Sequence, residues 1–191
     1  MKLDVYFVDA FTDKVFSGNP AAVIFTDIDD ENLMQKIAFE NNLSETAFVN
    51  TSQETNYIRW FSPIKEVDLC GHATLASAYI YFNYINKDED NVSFMSASGE
   101  LSVRKTDNLY ELDFPKDNLK KIDLIDQVED CIGVKPTETF IGDINLFALL
   151  DNEETLKTLK PNFSKLINLE GQGLIVSSQS NEYDFVSRYF C

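Results

Sequence analysis

The 191-residue chain contains one histidine, His72, and only three cysteines, Cys70, Cys131 and Cys191. The cysteines are odd in number and widely spaced with no CxxC pair, which excludes a disulfide framework and a zinc ribbon and fits a reducing compartment. Dinucleotide fingerprint, phosphate loop and metal-ligand spacing are all missing. The stretch Ser17-Gly18-Asn19-Pro20 has one glycine where a pyrophosphate cradle needs several, so no cofactor and no metal are expected. Basic residues are scarce: 16 Lys and Arg face 32 Asp and Glu, for a formal net charge of −16. Such a field repels nucleic acid and anionic membrane surfaces. A small anionic substrate would meet it too and would need local compensation from a helix N-terminus or from Arg59 and Lys65. The uncharged stretch 71–86 falls short of the roughly 20 residues of a membrane span. The first residues alternate like a strand and carry Asp4 and Asp9 where a signal peptide needs an apolar run, so a cytoplasmic protein is expected.

What is present is ample core material, 44% hydrophobic and 13% aromatic residues, enough for one large or two small packed domains. Residues 2–8 alternate as a half-buried strand, and the run Ala21-Ala22-Val23-Ile24-Phe25 reads as a second. Asp29 and Asp30 can cap a helix whose apolar positions Leu33, Met34, Ile37 and Ala38 fall at helical spacing, ending near Asn41-Asn42. Two strands, 46–50 and 56–61, enclose a polar turn. The helix 71–86 is apolar nearly all round and must be enclosed by other structure. Short strands at 92–95, 100–105 and 109–114, broken at Ser98-Gly99 and Asp107-Asn108, suggest a barrel-like wrap around it. A composition change at 115–130 reads as a junction dividing domains 1–115 and 116–191. Beyond it come a helix near 124–131, strands around 137–150, a helical region 152–168, and strands at 173–178 and 183–190.

The chain also carries an internal repeat. Phe48-Val49-Asn50-Thr51-Ser52-Gln53 followed by Tyr57-Ile58-Arg59-Trp60-Phe61 matches Ile175-Val176-Ser177-Ser178-Gln179 followed by Phe185-Val186-Ser187-Arg188-Tyr189-Phe190. The first copy runs on into Cys70-Gly71-His72-Ala73-Thr74; the second has no counterpart of that segment before Cys191.

Three groups could carry chemistry. Gly71 permits a sharp strand-to-helix turn and a close approach of ligand to backbone, and the helix start after it favours a carboxylate. His72 at that start could bond the ligand or move a proton; its other reading is a buried partner for a backbone carbonyl. In Asn42-Leu43-Ser44-Glu45-Thr46, Glu45 lies where a helix gives way to a strand and could point inward as a general base, or could be surface. Cys70, close to a helix N-terminus, is either an activated thiol or a small core residue.

In combination these motifs resemble the phenazine-biosynthesis PhzF-like family. The resemblance rests on Phe16-Ser17-Gly18-Asn19-Pro20-Ala21-Ala22-Val23, Asn42-Leu43-Ser44-Glu45-Thr46-Ala47-Phe48-Val49, Arg59-Trp60-Phe61-Ser62-Pro63 and Glu66-Val67-Asp68-Leu69-Cys70-Gly71-His72-Ala73-Thr74. It implies an α+β, diaminopimelate-epimerase-like fold: two pseudo-symmetric domains, each wrapping mixed β structure around a central helix, the second here truncated. It also implies a cofactor-independent isomerase in which Glu45 moves a proton on a small carboxylated substrate. In the phenazine enzyme that substrate is a dihydro-hydroxyanthranilic acid. Gly71 and His72 would line the site, Ser44 and Asn19 would lie nearby, and Cys70 is the alternative base. A homodimer with no nucleic-acid or membrane partner is expected. In the family, a strand ending like Ser187-Arg188-Tyr189-Phe190-Cys191 leads into a second histidine-bearing helix start. Without it, the chain reads as a fragment of a longer protein or a truncated homologue acting through association.

Overall fold

Alternating sequence becomes strand only where a neighbour takes the backbone groups. The computed structural model describes residues 1–107 and 109–191, so the turn expected at Asp107-Asn108 lies, at Asn108, outside the described residues. Although alternation starts at Lys2, the first ladder begins at Tyr6 opposite Val23 and ends at Ala10 opposite Asn19. Strand β1 is therefore Tyr6–Ala10 and not 2–8, and β2 is Asn19–Phe25, two residues longer at its start than the apolar run. Gly18 makes the entry to β2 possible, because its φ is +85° and a Cβ there would lie 2.2 Å from the Ala10 carbonyl oxygen.

The chain divides into two compact units, Met1–Pro115 and Lys116–Cys191. In the first, helix α1, Glu31–Asn41, is capped by Asp30, whose side chain accepts from the Leu33 N–H, and it stops at Asn42 in the left-handed conformation. Strands β3, Glu45–Asn50, and β4, Tyr57–Phe61, follow, with the two-residue β5, Glu66–Val67, on the flank of β4. Helix α2, Gly71–Ile80, then continues into a single π turn, Tyr81–Ile85, so the expected helix 71–86 is not α throughout. Strands β6, Asn91–Ser96, β7, Gly99–Thr106, and β8, Leu109–Asp113, complete a sheet of order β1-β2-β3-β4-β6-β7-β8.

The sheet curls round α2, which packs against β1, β2, β3 and β8. Ala21, Val23, Ala47, Val49, Ile58 and Trp60 turn inward onto Ala73, Ala76, Ala78 and Ile80. The small residues on both sides let the backbones approach closely. The helix hides its own polar groups: Thr74 Oγ1 donates to the Cys70 carbonyl at 2.6 Å and Ser77 Oγ to the Ala73 carbonyl at 2.7 Å. The opposite face of the sheet, with Ile24, Phe48 and Phe61, is covered by Met34 and Ala38 of α1.

In the second unit the junction segment contains an unexpected strand, β9, Lys120–Ile122. After it come α3, Ile125–Ile132, β10, Glu138–Ile141, β11, Leu146–Leu149, two short helices α4, Glu153–Thr158, and α5, Phe163–Leu166, then β12, Leu174–Gln179, and β13, Phe185–Phe190. The order is β13-β12-β11-β10-β9. The β10-β11-β12-β13 pairings, antiparallel, parallel, antiparallel, repeat those of β1-β2-β3-β4.

The register shifts the repeat by one residue from the sequence match. Arg59 lies opposite Phe48 and Arg188 opposite Val176, so Phe48 corresponds to Val176 and not to Ile175. Both arginines lie over the phenylalanine two residues on, 5.2 Å from Phe61 and 4.9 Å from Phe190. The helices of this unit cover the face with Leu146, Ala148, Leu174 and Val176. The other face carries Phe140, Phe147, Ile175 and Tyr189 in one row, and among the described residues no helix of this unit covers it. No helix among the described residues is long and apolar enough to cross a membrane.

Candidate active site

Three chain segments meet at one end of the first unit's sheet. Strand β2 starts with Asn19 and Pro20, the parallel strand β3 starts with Glu45 opposite Ala21, and α2 starts at Gly71. Because Ala47 and Val49 turn toward α2, the period of two turns Glu45 the same way. Its side chain is 20% exposed, and Oε2 lies 3.3 Å from Nε2 of His72. His72 itself is 8% exposed, and Nε2 has no partner with hydrogen-bond geometry among the described residues. On the ring's other side Nδ1 lies 3.5 Å from the Cys70 sulfur. Ser44, exposed at the rim, donates from Oγ to the Pro20 carbonyl at 3.4 Å, and Asn19 is half-buried one residue earlier. Glu45, Cys70 and His72 thus form one cluster; Ser44 and Asn19 lie at its edge.

Burial lowers the basicity of His72 and favours the neutral imidazole, against the pull of the Glu45 charge and a nearby Pro20 carbonyl. Burial and then the same carboxylate push the Cys70 thiol up to about 12. The thiol therefore keeps its proton at neutral pH and is a poor base, despite the helix N-terminus beside it. Among the described residues no side chain makes a capping hydrogen bond at the start of α2; the His72 and Ala73 N–H groups face the Cys70 sulfur, and this N-terminal end favours a negatively charged ligand group. Gly71 is not demanded by the turn: its φ is not positive, and an added Cβ would make only an ordinary 3.5 Å contact with Phe114.

Arg59 does not serve this site. It belongs to the α1 face, where it donates to both carboxylate oxygens of Glu66 at 2.7 Å and to Glu31 at 3.2 Å. The same face carries a cavity of about 470 Å³ lined by Met34, Phe48, Tyr57, Arg59 and Met95, none of them in the Glu45 cluster. Lys65 lies in the exposed turn after Pro63 and has no carboxylate within ion-pair range among the described residues. The second unit does not duplicate the carboxylate. The corrected register makes Gly173 the counterpart of Glu45, and a Cβ at Gly173 would fall 2.5 Å from the Tyr189 ring.

Residues 8–191 match the family model described as phenazine biosynthesis-like protein. A Pseudomonas aeruginosa protein named an uncharacterized isomerase is 42% identical over 192 residues, spanning all of this chain and 73% of the relative. The chain belongs to the phenazine biosynthesis-like family. The crystal structure of an Enterococcus faecalis PhzF-family protein superposes with a TM-score of 0.91 at 45% identity, covering all of this chain and 74% of that one. A probable proline racemase from Agrobacterium radiobacter shares the fold alone, with a TM-score of 0.53 at 10% identity over 98% of this chain and 69% of its own. The fold of this family member is accordingly the α+β, diaminopimelate-epimerase-like one. The Glu45–His72 contact has no signal in spacing, because it depends on β2 and β3 being parallel neighbours beneath the start of α2.

Proposed function

We propose that the chain is a cofactor-independent isomerase that moves a proton on the carbon skeleton of a small carboxylated substrate, with Glu45 as general acid and base. The observation that carries this reading is the Glu45 side chain, four-fifths buried, with its carboxylate 3.3 Å from the imidazole of His72 at the start of α2. The naming of the Pseudomonas relative as an isomerase supports the same reading.

A substrate carboxylate held by the first N–H groups of α2 would place an adjacent C–H bond against Glu45. The carboxylate takes that proton, the bonding electron pair moves into the substrate's conjugated system, and the same carboxyl group returns the proton to another carbon. Neutral His72, with Nε2 3.3 Å from Oε2, presents a polar edge beside the carboxyl group. Ser44 and Asn19 line the rim. A dihydro-hydroxyanthranilic acid, the substrate implied by the family, carries the carboxylate such a site would take; cytoplasmic location and homodimeric assembly belong to the same proposal.

Glu45→Gln keeps the shape and removes the proton-accepting oxygen. It should lower exchange of the substrate C–H with heavy water by about 10²–10⁴-fold, the range for loss of a positioned acid–base group, while thermal unfolding is unchanged. Exchange at the wild-type rate would remove Glu45 from the reaction.

A further inference from the structure

A carboxylate, a thiol and an imidazole, one from each of Glu45, Cys70 and His72, offer donor atoms that all lie within 4.8 Å of one another. Two of the separations are already 3.3 Å, Oε2 to Nε2, and 3.5 Å, Sγ to Nδ1. Tetrahedral zinc, with bonds of about 2.0 Å to nitrogen and oxygen and about 2.3 Å to sulfur, holds its donors roughly 3.3–3.7 Å apart. Only one ring nitrogen can take the ion, so the three donors must close round it from separations of up to 4.8 Å by side-chain rotation. A second observation singles out Nε2. It is buried beside a carboxylate and, among the described residues, makes no hydrogen bond, in a histidine that is 8% exposed.

We infer that Glu45, Cys70 and His72 form a binding site for a thiophilic divalent cation, zinc foremost, with the fourth coordination position turned toward the exposed edge of Glu45. Sulfur and imidazole donors select zinc or cobalt over magnesium or calcium, whose oxygen-rich shells this set cannot supply. On binding, the ion displaces the Cys70 thiol proton to solvent and takes the lone pairs of the Glu45 carboxylate. The cation is then a reversible inhibitor of any proton transfer through Glu45. The binding claim does not depend on the isomerase reading, because it needs the three donors and no substrate.

The test uses the full chain with zinc and cobalt salts alone. Titration calorimetry should find one zinc per chain, not displaced by millimolar magnesium. The cobalt form should show thiolate-to-metal charge-transfer absorption together with the visible bands of a tetrahedral ion. Cys70→Ser and His72→Gln should each weaken zinc binding at least tenfold, whereas Cys191→Ser, at the exposed cysteine, should not. Retained circular dichroism and unfolding temperature separate loss of ligands from loss of fold, and if one variant fails to fold the other carries the test. No saturable zinc binding, or binding unaffected by both Cys70→Ser and His72→Gln, overturns the proposal. Zinc binding together with no isomerisation by the metal-free wild type would leave the metal site standing and count against the isomerase alone.

Discussion

At the scale of single residues, position in the fold decides chemistry that residue type leaves open. Cys70 and Cys191 have the same side chain, yet burial and the Glu45 charge hold Cys70 protonated while Cys191 is exposed. Iodoacetamide near pH 7.5 should therefore alkylate Cys191 within minutes and leave Cys70 and Cys131 unmodified until denaturant is added, as read by mass spectrometry of tryptic peptides. Rapid labelling of Cys70 in the folded chain would contradict the geometry at the start of α2. Gly18 is fixed just as locally. Gly18→Ala meets both a positive φ and the Ala10 carbonyl at 2.2 Å, and should cost about 1–3 kcal/mol in urea unfolding. Gly71, by contrast, has room for a methyl group. Gly71→Ala should fold normally, so any loss of ligand binding there reports on crowding of the ligand and not on the turn.

Among the elements, legibility followed the strength of the local signal. Helix α1 is readable because Asp30 caps it and its apolar residues keep helical period, so Asp30→Ala should lower stability by about 1 kcal/mol. A loss near zero in urea unfolding would mean that the cap is not formed. The strands β5 and β9 are too short to show alternation; partner strands hold them, and only tertiary pairing reveals them. The repeat was visible as similar strings, but one residue out of register, since apolar identity cannot say which residue faces which across a ladder. The opposed pairs Arg59–Phe48 and Arg188–Val176 set it. That one-residue shift puts Gly173, which has no carboxylate and lies against the Tyr189 ring, at the place of Glu45. The candidate site residues Glu45, His72 and Cys70 were nameable from motifs. Their mutual distances were not, because they come from the parallel pairing of β2 with β3 and the placement of α2 across them.

At the level of the whole molecule, the net charge of −16 would set how the proposed anionic substrate arrives. The paired Arg59 gives no relief at the site, and the start of α2 acts only at short range. Raising ionic strength from about 10 mM to about 150 mM shortens the screening length from about 30 Å to about 8 Å, so kcat/KM for an anionic substrate should rise; a fall would mean that an attractive field dominates the approach. Proton transfer through Glu45 is read by proton NMR of candidate cyclic amino acids, dihydro-hydroxyanthranilic acid first, incubated with the protein in heavy water. Wild type and Cys70→Ala should exchange a substrate C–H for deuterium, and Glu45→Gln, folded to the same unfolding temperature, should not. Undiminished exchange by Glu45→Gln, or its loss in Cys70→Ala alone, would contradict the account.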